Sequence, residues 1–278
     1  MILFIIISTA VLAAAVIYAL IENSSLTVKK YSLSLQSFKK GFKAVHITDI
    51  HKRSYKNNWE KLIRKVDELS PDIIFLTGDL VSRTETDYYH KGVLIRRLCD
   101  ICPVYCCLGN HELDLSSDNL KRLIKVMTEN GAVVLDNKKA VFEKDGSSIN
   151  IYGASLKRSV YRNENNGFSG LESYTSEELY KALGSPEKPS VLLAHDPFFL
   201  DSYSEWGADI IFSGHVHGGL VGTPFGGLLS PERKFFPKFT KGIYKSRNSV
   251  MILSAGIGKY RIFCPPEIVL LSVRDRAA

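Results

Sequence analysis

Metal-ligating and acid–base residues recur in this sequence at one kind of position, directly after a short apolar run. Asp49 and His51 follow the run AVHIT, and Asp79 follows IIFLTG. The other members of the set stand after later runs: Asn110, His111, His195, His215 and His217. If the runs are strands of an open α/β sheet, their carboxyl ends converge where such sheets bind ligands. The sequence therefore predicts one site that contains all eight side chains.

These residue types form a coherent ligand set. Carboxylate, imidazole and side-chain amide groups are hard to borderline ligands, which suit Mn²⁺, Fe or Zn²⁺. They are too numerous for one tetrahedral ion with an open position. Two divalent ions that share a carboxylate fit the number, and such a pair stabilises the entering and leaving oxygens of an in-line displacement at phosphorus. A lone histidine or Gly-Asp pair would be an ordinary cap or turn, but the ordered set favours a dinuclear metal site.

Short strands that alternate with helices are predicted to position these residues. The apolar runs are four to eight residues long, β-branched and bounded by Gly, Pro or Asp, which is typical of buried strands. Helix-like stretches lie at residues 58–70, 88–100 and 120–130. This alternation predicts an α/β fold whose sheet is covered on both faces. Residues 131–153 carry two strand patterns around an Asp-Gly turn, which predicts a hairpin.

The N-terminal segment from Ile2 to Ile21 is almost wholly apolar. A helix of about twenty residues spans about 30 Å, the thickness of the hydrocarbon core of a bilayer. A cleaved signal peptide would need a basic residue before the run and a small-residue cleavage site after it, and the sequence has neither. We therefore expect residues 1–21 to be a single-pass transmembrane anchor. All nearby lysines follow the anchor, which predicts a cell-membrane protein with a cytoplasmic catalytic domain.

Composition and charge narrow the class of protein. Of 278 residues, 45% are hydrophobic and 23% are charged, which is ordinary for a folded domain. Part of the net charge of +7 lies in a basic segment at 22–40, which we interpret as a linker suited to an anionic lipid surface rather than to nucleic acid. Residues 41–278 then form one catalytic domain. The five cysteines lack paired zinc-binding spacings, and Cys106 and Cys107 are expected in a buried strand.

The ordered motifs resemble those of the calcineurin-like metallophosphoesterases. The matching pieces, which extend over about residues 41–275, are Asp49-Ile50-His51, Gly78-Asp79, Gly109-Asn110-His111-Glu112, Ala194-His195 and Gly214-His215-Val216-His217. The resemblance implies a four-layer αββα sandwich, in which two mixed β-sheets are flanked by helices. The segments GHVHGG and GIGKYRIFCPPEI look most like those of the membrane-associated bacterial branch of the family. That branch includes UDP-2,3-diacylglucosamine pyrophosphatase-like enzymes.

The resemblance also implies a role for each site residue. One metal ion would be bound by Asp49, His51 and His217. The second would be bound by Asn110, His195 and His215, and Asp79 would bridge the two. His111 would not be a ligand; it would face the scissile phosphate and stabilise charge or protonate the leaving oxygen.

One departure from the family pattern concerns the partner of His111. In calcineurin-type protein phosphatases, an acidic residue three places after the bridging Asp orients the catalytic His, and here that place is Ser82. A protein phosphatase is therefore disfavoured. Glu112 and Asp114 are alternative partners for His111, although Glu112 could equally be a solvated loop residue.

Two arginines and one aromatic loop are further candidates near the site. Arg53 and Arg261 could contact a phosphate oxygen, since guanidinium pairs well with phosphate, and a surface salt bridge is the alternative for each. The aromatic-rich loop at 224–239 could cover the site, dip into lipid or form a packed surface loop.

These features predict a membrane-anchored phosphohydrolase that cleaves a phosphodiester or pyrophosphate bond in a lipid-linked substrate. The anchor favours the lipid-linked substrate because it holds the site near a bilayer. The alternatives are a phosphodiesterase for a soluble nucleotide-type substrate and a non-enzymatic metal-binding protein on the same fold. The expected partners are the bilayer and the phosphorylated substrate. Nucleic acid is not expected, and the sequence indicates no obligate protein partner.

Overall fold

Strands and helices alternate along the chain as the sequence predicts. The computed structural model describes residues 1–52, 59–163, 165, 167, 169–219, 221–223, 226–229, 235–258 and 261–274. The helices are α1 (Ile2–Ser24), α2 (Glu60–Glu68), α3 (Tyr89–Cys99), α4 (Asn110–Leu113), α5 (Ser117–Glu129), α6 (Ser176–Leu183) and α7 (Leu200–Trp206), with a 3₁₀ turn at Arg158–Val160. The strands are β1 (Thr27–Leu33), β2 (Phe42–Ile47), β3 (Ile73–Thr77), β4 (Val104–Cys107), β5 (Val133–Val134), β6 (Lys138–Lys144), β7 (Ser147–Ala154), β8 (Ser190–Ala194), β9 (Ile210–Ser213), β10 (Val221–Thr223), β11 (Gly226–Leu229), β12 (Gly242–Ser246), β13 (Ser249–Leu253) and β14 (Glu267–Val273).

Two mixed sheets of six strands each carry the fold. The first has the order β1-β14-β2-β3-β4-β5, in which β2 to β5 are parallel and β14 is antiparallel to β2. The second has the order β12-β13-β9-β8-β7-β6, in which the four central strands are parallel and both edge strands are antiparallel to their neighbours. A separate antiparallel ribbon is formed by β10 and β11.

The period of two along each strand divides its side chains between two cores. In β3, Ile73 and Phe75 join the core between the sheets, whereas Ile74 and Leu76 join the core beneath α2, α3 and α5. The ring of Phe75 lies 4.8 Å from that of Phe212 in β9, across the sheet interface. A third core packs the outer face of the second sheet against α6 and α7. The predicted four-layer αββα sandwich is therefore confirmed.

The predicted hairpin is present as β6 and β7. Asp145 and Gly146 at its tip both have positive φ, as a two-residue turn between twisted strands requires. The first part of the segment differs from the prediction, because Val133–Val134 pairs with β4 and so extends the first sheet. Cys106 and Cys107 lie in β4 and are buried free thiols, as predicted.

Most of the described apolar side chains of the N-terminal helix α1 are exposed. Its residues Phe4–Ser24 are long and apolar enough to cross a membrane. The chain then enters β1, which pairs in parallel with β14 along its whole length. The segment expected to be a basic linker therefore contains an edge strand of the first sheet, and α1 is joined directly to the catalytic domain.

Candidate metal centre

The eight predicted site residues lie together at the carboxyl ends of the central strands. Asp49 and His51 follow β2, Asp79 follows β3, and His195 directly follows β8. The short helix α4 begins with Asn110 and His111, and the loop after β9 carries His215 and His217. All are buried except His215, which is half-buried. The convergence predicted from strand ends is thus what the two sheets produce.

The Asp49 carboxylate faces three histidine nitrogens. Its Oδ1 lies 3.5 Å from Nδ1 of His217 and 3.9 Å from Nε2 of both His51 and His195. Oδ2 accepts a hydrogen bond from the Thr48 hydroxyl at 2.9 Å, which fixes the carboxylate. The distances to the histidines are too long for hydrogen bonds, so these atoms face one another across a space in which they could share a cation.

Asp79 lies in the middle of the same group. Its Oδ2 is 3.4 Å from Nε2 of His195 and 3.7 Å from Nε2 of both His51 and His111. Its Oδ1 accepts the backbone N–H of His111 at 2.8 Å. One carboxylate thus faces histidines from three different loops, which is the position expected of a bridging ligand.

The donor atoms fit two divalent ions. Three sets of residues each bring their ligand atoms within 4.8 Å of one another: Asp49, His51 and His217; Asp49, Asp79 and His195; and His51, Asp79 and His111. Within the part of the chain that the structure describes, the buried Nε2 of His195 makes no hydrogen bond, whereas its Nδ1 donates to the carbonyl of Thr77 at 2.6 Å. A histidine held by one nitrogen while the other faces carboxylates is oriented as metal ligands are.

Asn110 and His215 complete the group on its outer side. Nδ1 of His215 donates to Oδ1 of Asn110 at 3.0 Å, and its backbone N–H donates to Oδ2 of Asp49 at 3.1 Å. The ring of Tyr161 lies 5.3 Å from that of His215 and covers it. The amide oxygen and the imidazole are therefore adjacent, as two ligands of one ion would be.

The backbone at the site is held in an unusual conformation. Five site residues have φ between 51° and 73°: Asp49, His51, Asp79, His215 and His217. This region is rare for residues other than glycine, and such strain is found where the surrounding structure fixes a functional geometry. The motif glycines allow the close packing, because a Cβ on Gly109 would collide with the Asp79 carboxylate and one on Gly214 with Thr48.

Glu112 is a structural brace rather than a solvated loop residue. Its Oε2 accepts the backbone N–H groups of Asp79 and Gly109, each at 2.8 Å, and its Oε1 accepts that of Val81 at 3.0 Å. Burial and the neighbouring charge of Asp79 raise the pKa of Glu112 to about 7. One carboxylate thereby ties the loop after β3 to the loop after β4, and so sets the distance between Asp79 and Asn110.

Charge compensation couples the acids and histidines of the site. Burial alone would raise the pKa of Asp79, but the charges of His195, His111 and His51 hold it well below its usual range. Burial lowers the pKa of His195, but the charge of Asp79 and its other polar neighbours together raise it by more, so the pKa rises from 6.5 to about 10. Burial and the nearby Arg261 hold the pKa of His217 well below its usual range, which keeps a lone pair available. Since ligation requires neutral imidazole, binding of a metal ion at His195 would release a proton.

The two candidate partners of His111 are engaged elsewhere. Glu112 accepts backbone N–H groups, as described, and Asp114 pairs with Arg83 and, at 3.0 Å, with Arg158. The carboxylate of Asp79, 3.7 Å away, faces the His111 ring instead.

Of the two arginines predicted to contact phosphate, the structure describes only Arg261. Arg53 lies outside the described residues. Arg261 is buried, and its guanidinium donates to the carbonyl of Gly256 at 3.2 Å and lies 3.5 Å from Nδ1 of His217. It therefore lies beside the same nitrogen of His217 that faces Asp49, and it does not form a surface salt bridge.

Sequence reasoning missed several residues that hold the site in place. Lys91, buried in α3, donates to the backbone carbonyl of His51. Tyr161 covers two candidate ligands, since its ring also lies 6.4 Å from that of His195. Asn23, at the end of α1, binds the backbone of Arg261. The apolar residues that follow Lys91 could have predicted its burial. Tyr161 and Asn23 stand in no recognisable motif.

The chain belongs to the calcineurin-like phosphoesterase family, whose sequence profile matches residues 42–219. It is therefore a metal-dependent phosphoester hydrolase, and the predicted use of divalent ions is confirmed at the level of the family.

Its relatives include uncharacterized bacterial metallophosphoesterases and a named bacterial pyrophosphatase. It is 30% identical over 282 residues to an uncharacterized metallophosphoesterase of Campylobacter jejuni, across 97% of this chain and 69% of that protein. It is 24% identical over 275 residues to the UDP-2,3-diacylglucosamine pyrophosphatase LpxG of Chlamydia trachomatis, across 83% of each chain. A solved phosphopantetheinyl hydrolase of Mycobacterium tuberculosis superposes with a TM-score of 0.47 at 15% identity, across 78% of this chain and 89% of that one.

Proposed function

We propose that this chain is a membrane-anchored dinuclear-metal hydrolase that cleaves a pyrophosphate or phosphodiester bond in a lipid-linked substrate. The observation that carries the proposal is the contact between the end of α1 and the metal centre. Nδ2 of Asn23, in the last turn of α1, donates to the carbonyl of Arg261 at 2.6 Å. The guanidinium of Arg261 in turn lies 3.5 Å from Nδ1 of His217. If α1 crosses a bilayer, Arg261 contacts both the membrane helix and His217, a candidate metal ligand.

The similarity to the chlamydial proteins supports the choice of substrate. Their name specifies a pyrophosphatase whose substrate carries two acyl chains, and this chain is 24% identical to them. A substrate of that kind is confined to the bilayer surface. A tether that ends at the metal centre keeps the centre at high effective concentration relative to such a substrate.

Within this proposal the eight residues divide between binding two ions and assisting the reaction. One ion would be held by Asp49, His51 and His217 and the other by Asn110, His195 and His215, and Asp79 would serve both. When bound, the ions neutralise charge on the entering and leaving oxygens. His111 is the remaining imidazole beside the bridging carboxylate, at 3.7 Å, and it protonates the leaving oxygen or stabilises charge on the phosphate.

The catalytic domain is proposed to lie in the cytoplasm. Lys29 and Lys30 are exposed on β1, directly after α1, and the ammonium of Lys61 donates to the carbonyl of Ser24 at 3.0 Å. Lysines at one end of a membrane helix favour the cytoplasmic side.

The test uses the full chain in detergent micelles with Mn²⁺, assayed on bis(p-nitrophenyl) phosphate and on UDP-2,3-diacylglucosamine. Asp79→Asn should abolish both activities and reduce bound metal, because the Asp79 carboxylate faces histidines of both proposed ion sites. Asp72→Asn is the matched control. Asp72 precedes β3 at the opposite end of the strands and binds Lys144 at 2.8 Å, so this variant should keep its metal and activity.

The two substrates separate the parts of the proposal. Cleavage of both, lost in Asp79→Asn, supports the metal centre and the lipid-linked substrate. Cleavage of the chromogenic diester alone would overturn the lipid-linked substrate and favour a soluble one. Stable metal binding without cleavage of either would instead favour the non-enzymatic binding protein.

A further inference from the structure

The segment that carries Arg261 runs alongside the last turns of α1. Asn23 contacts Arg261 through two hydrogen bonds, and the ring of Tyr18 lies 5.5 Å from that of Phe263. Asn23 and Tyr18 are about 7.5 Å apart along a helix axis. From Arg261 to Phe263 the chain therefore runs beside the last turns of α1, from the level of Asn23 to that of Tyr18. Phe263 reaches the depth of Tyr18, an aromatic residue near the helix end of the kind found at membrane–water interfaces.

Four large apolar side chains are exposed in this segment and directly after the neighbouring ribbon of β10 and β11. The exposed fractions are 72% for Phe235, 76% for Phe236, 47% for Ile262 and 57% for Phe263. We name these four residues the apolar platform. Exposed apolar residues are ordinary when scattered singly, but two pairs of adjacent ones indicate an interaction surface.

The ribbon of β10 and β11 joins the two halves of the platform. Val221 of β10 pairs with Ile262, and Leu229 of β11 pairs with Phe235. The N–H of Phe236 also donates to the carbonyl of Leu228 at 2.9 Å. Phe236 and Phe263 both have positive φ, at 49° and 56°, which is unfavourable for bulky side chains. The platform is thus a built feature of the fold, whose backbone holds two phenyl rings outward.

Basic side chains lie near the platform and near the end of α1. Lys61 donates to the carbonyl of Ser24 at the end of α1, and the ammonium of Lys241 lies 3.6 Å from Sγ of Cys264, next to the platform. Lys238 is exposed two residues after Phe236. Aromatic residues flanked by lysine are the composition of segments that lie in the headgroup region of anionic membranes.

We propose that the apolar platform is a second membrane-binding surface, which inserts into the interface of an anionic phospholipid bilayer beside α1. The inference rests on the proposed anchoring of α1 in that bilayer, because the platform residue Phe263 packs beside Tyr18 of the helix. Together the helix and platform fix the orientation of the domain. The His217 side of the metal centre then faces the bilayer, since Arg261 contacts both His217 and the platform segment.

The test is fluorescence quenching by lipids brominated on their acyl chains, with the full chain reconstituted into phosphatidylcholine–phosphatidylglycerol vesicles. Tryptophan is introduced singly as Phe236→Trp and as Phe263→Trp. The native Trp59 and Trp206 are buried in the protein, so the unmodified chain gives the background. Leu12→Trp, in the middle of α1, reports on the anchor. Val141→Trp is the matched surface control, because Val141 is exposed on β6, at the far edge of the second sheet from β12.

We expect a loss of emission in Phe236→Trp, Phe263→Trp and Leu12→Trp, and none beyond background in Val141→Trp. If Leu12→Trp is quenched but neither Phe236→Trp nor Phe263→Trp is, the platform does not insert into the bilayer. That result would overturn the second membrane-binding surface but not the anchoring of α1. If Leu12→Trp is not quenched, the anchoring part of the proposed function fails with it. Equal quenching of Val141→Trp would also overturn the proposal, because the signal would then not be confined to the platform.

Discussion

Asn23 and Arg261, 238 positions apart, are joined by a reciprocal pair of hydrogen bonds. The amide nitrogen of Asn23 donates to the carbonyl of Arg261 at 2.6 Å, and its amide oxygen accepts the N–H of Arg261 at 2.9 Å. Both residues are buried, although Asn23 belongs to a helix whose other side chains are mostly exposed. The end of α1 is therefore packed into the catalytic domain and is not connected to it by a flexible linker.

Asn23→Ala is expected to destabilise the folded chain. It leaves both backbone groups of Arg261 without their side-chain partner in a buried place, at a cost of about 1–3 kcal/mol for each unsatisfied group. Thermal unfolding in detergent micelles measures the effect. Ser24→Ala is the control, because the Ser24 hydroxyl is exposed and bonds only within the helix, to the carbonyl of Ile21. Equal unfolding temperatures for the two variants would contradict a packed junction.

Glu112→Gln should weaken metal binding without touching a proposed ligand. The carboxylate accepts three backbone N–H groups, from Asp79, Gly109 and Val81. A glutamine has one acceptor oxygen, and its NH₂ would face at least one of these N–H groups, which should displace the loops that carry Asp79 and Asn110. We expect a higher Mn²⁺ concentration for half-maximal activity.

The control for Glu112→Gln is Glu178→Gln. Glu178 also accepts a backbone N–H, that of Thr175 at the start of α6, but it lies on the surface away from the site. If both variants need the same Mn²⁺ concentration as the unmodified chain, the bracing role of Glu112 is wrong.

His111→Ala should lose activity while keeping metal. Loss of a general acid typically costs about 10²–10⁴-fold in rate. Metal analysis and kcat are measured on the same sample, with the exposed His90→Ala as control. Loss of metal together with activity would instead make His111 a ligand, which its closeness to His51 and Asp79 also permits.

The sequence sufficed to predict which residues converge, because their convergence is a consequence of strand order. Asp49, Asp79 and His195 each stand at the end of an apolar run, and parallel strands bring such ends to one edge whatever the details of packing. The alternation of inward and outward side chains in β3 likewise follows from the strand period. The relation of the two sheets came from the family resemblance rather than from any local pattern.

The supporting contacts were beyond prediction for a physical reason. Asn23 resembles an ordinary polar residue at a helix end, and only the folded chain brings the loop of Arg261 to it. Tyr161 lies in a turn with no periodicity, yet its ring packs on His215. Glu112 stood in a recognisable motif, but nothing local showed whether it would face solvent or the loop of Asp79. Each role depends on partners distant in sequence.

His46 is expected to make the fold sensitive to acid. It is buried between the sheets, with its Nε2 2.6 Å from the Thr77 hydroxyl, and burial followed by the charge of His195 lowers its pKa from 6.5 to about 3. In the unfolded chain His46 titrates near its ordinary value. Between these two values the unfolded state binds more protons, so His46 makes the free energy of unfolding fall as the pH drops from 6.5 towards 3.

The measurement compares the pH dependence of urea unfolding for the unmodified chain and His46→Gln. Glutamine can still bond to the Thr77 hydroxyl but does not titrate, so the variant should lose stability less steeply from pH 6.5 to pH 4.5, by up to about 1.4 kcal/mol per pH unit. Groups at the metal centre titrate in both proteins and cancel in the difference. His90→Gln, exposed on α3, should follow the unmodified chain. Parallel slopes for His46→Gln and the unmodified chain would show that His46 carries no such penalty, and the acid sensitivity would then belong to the metal-site carboxylates.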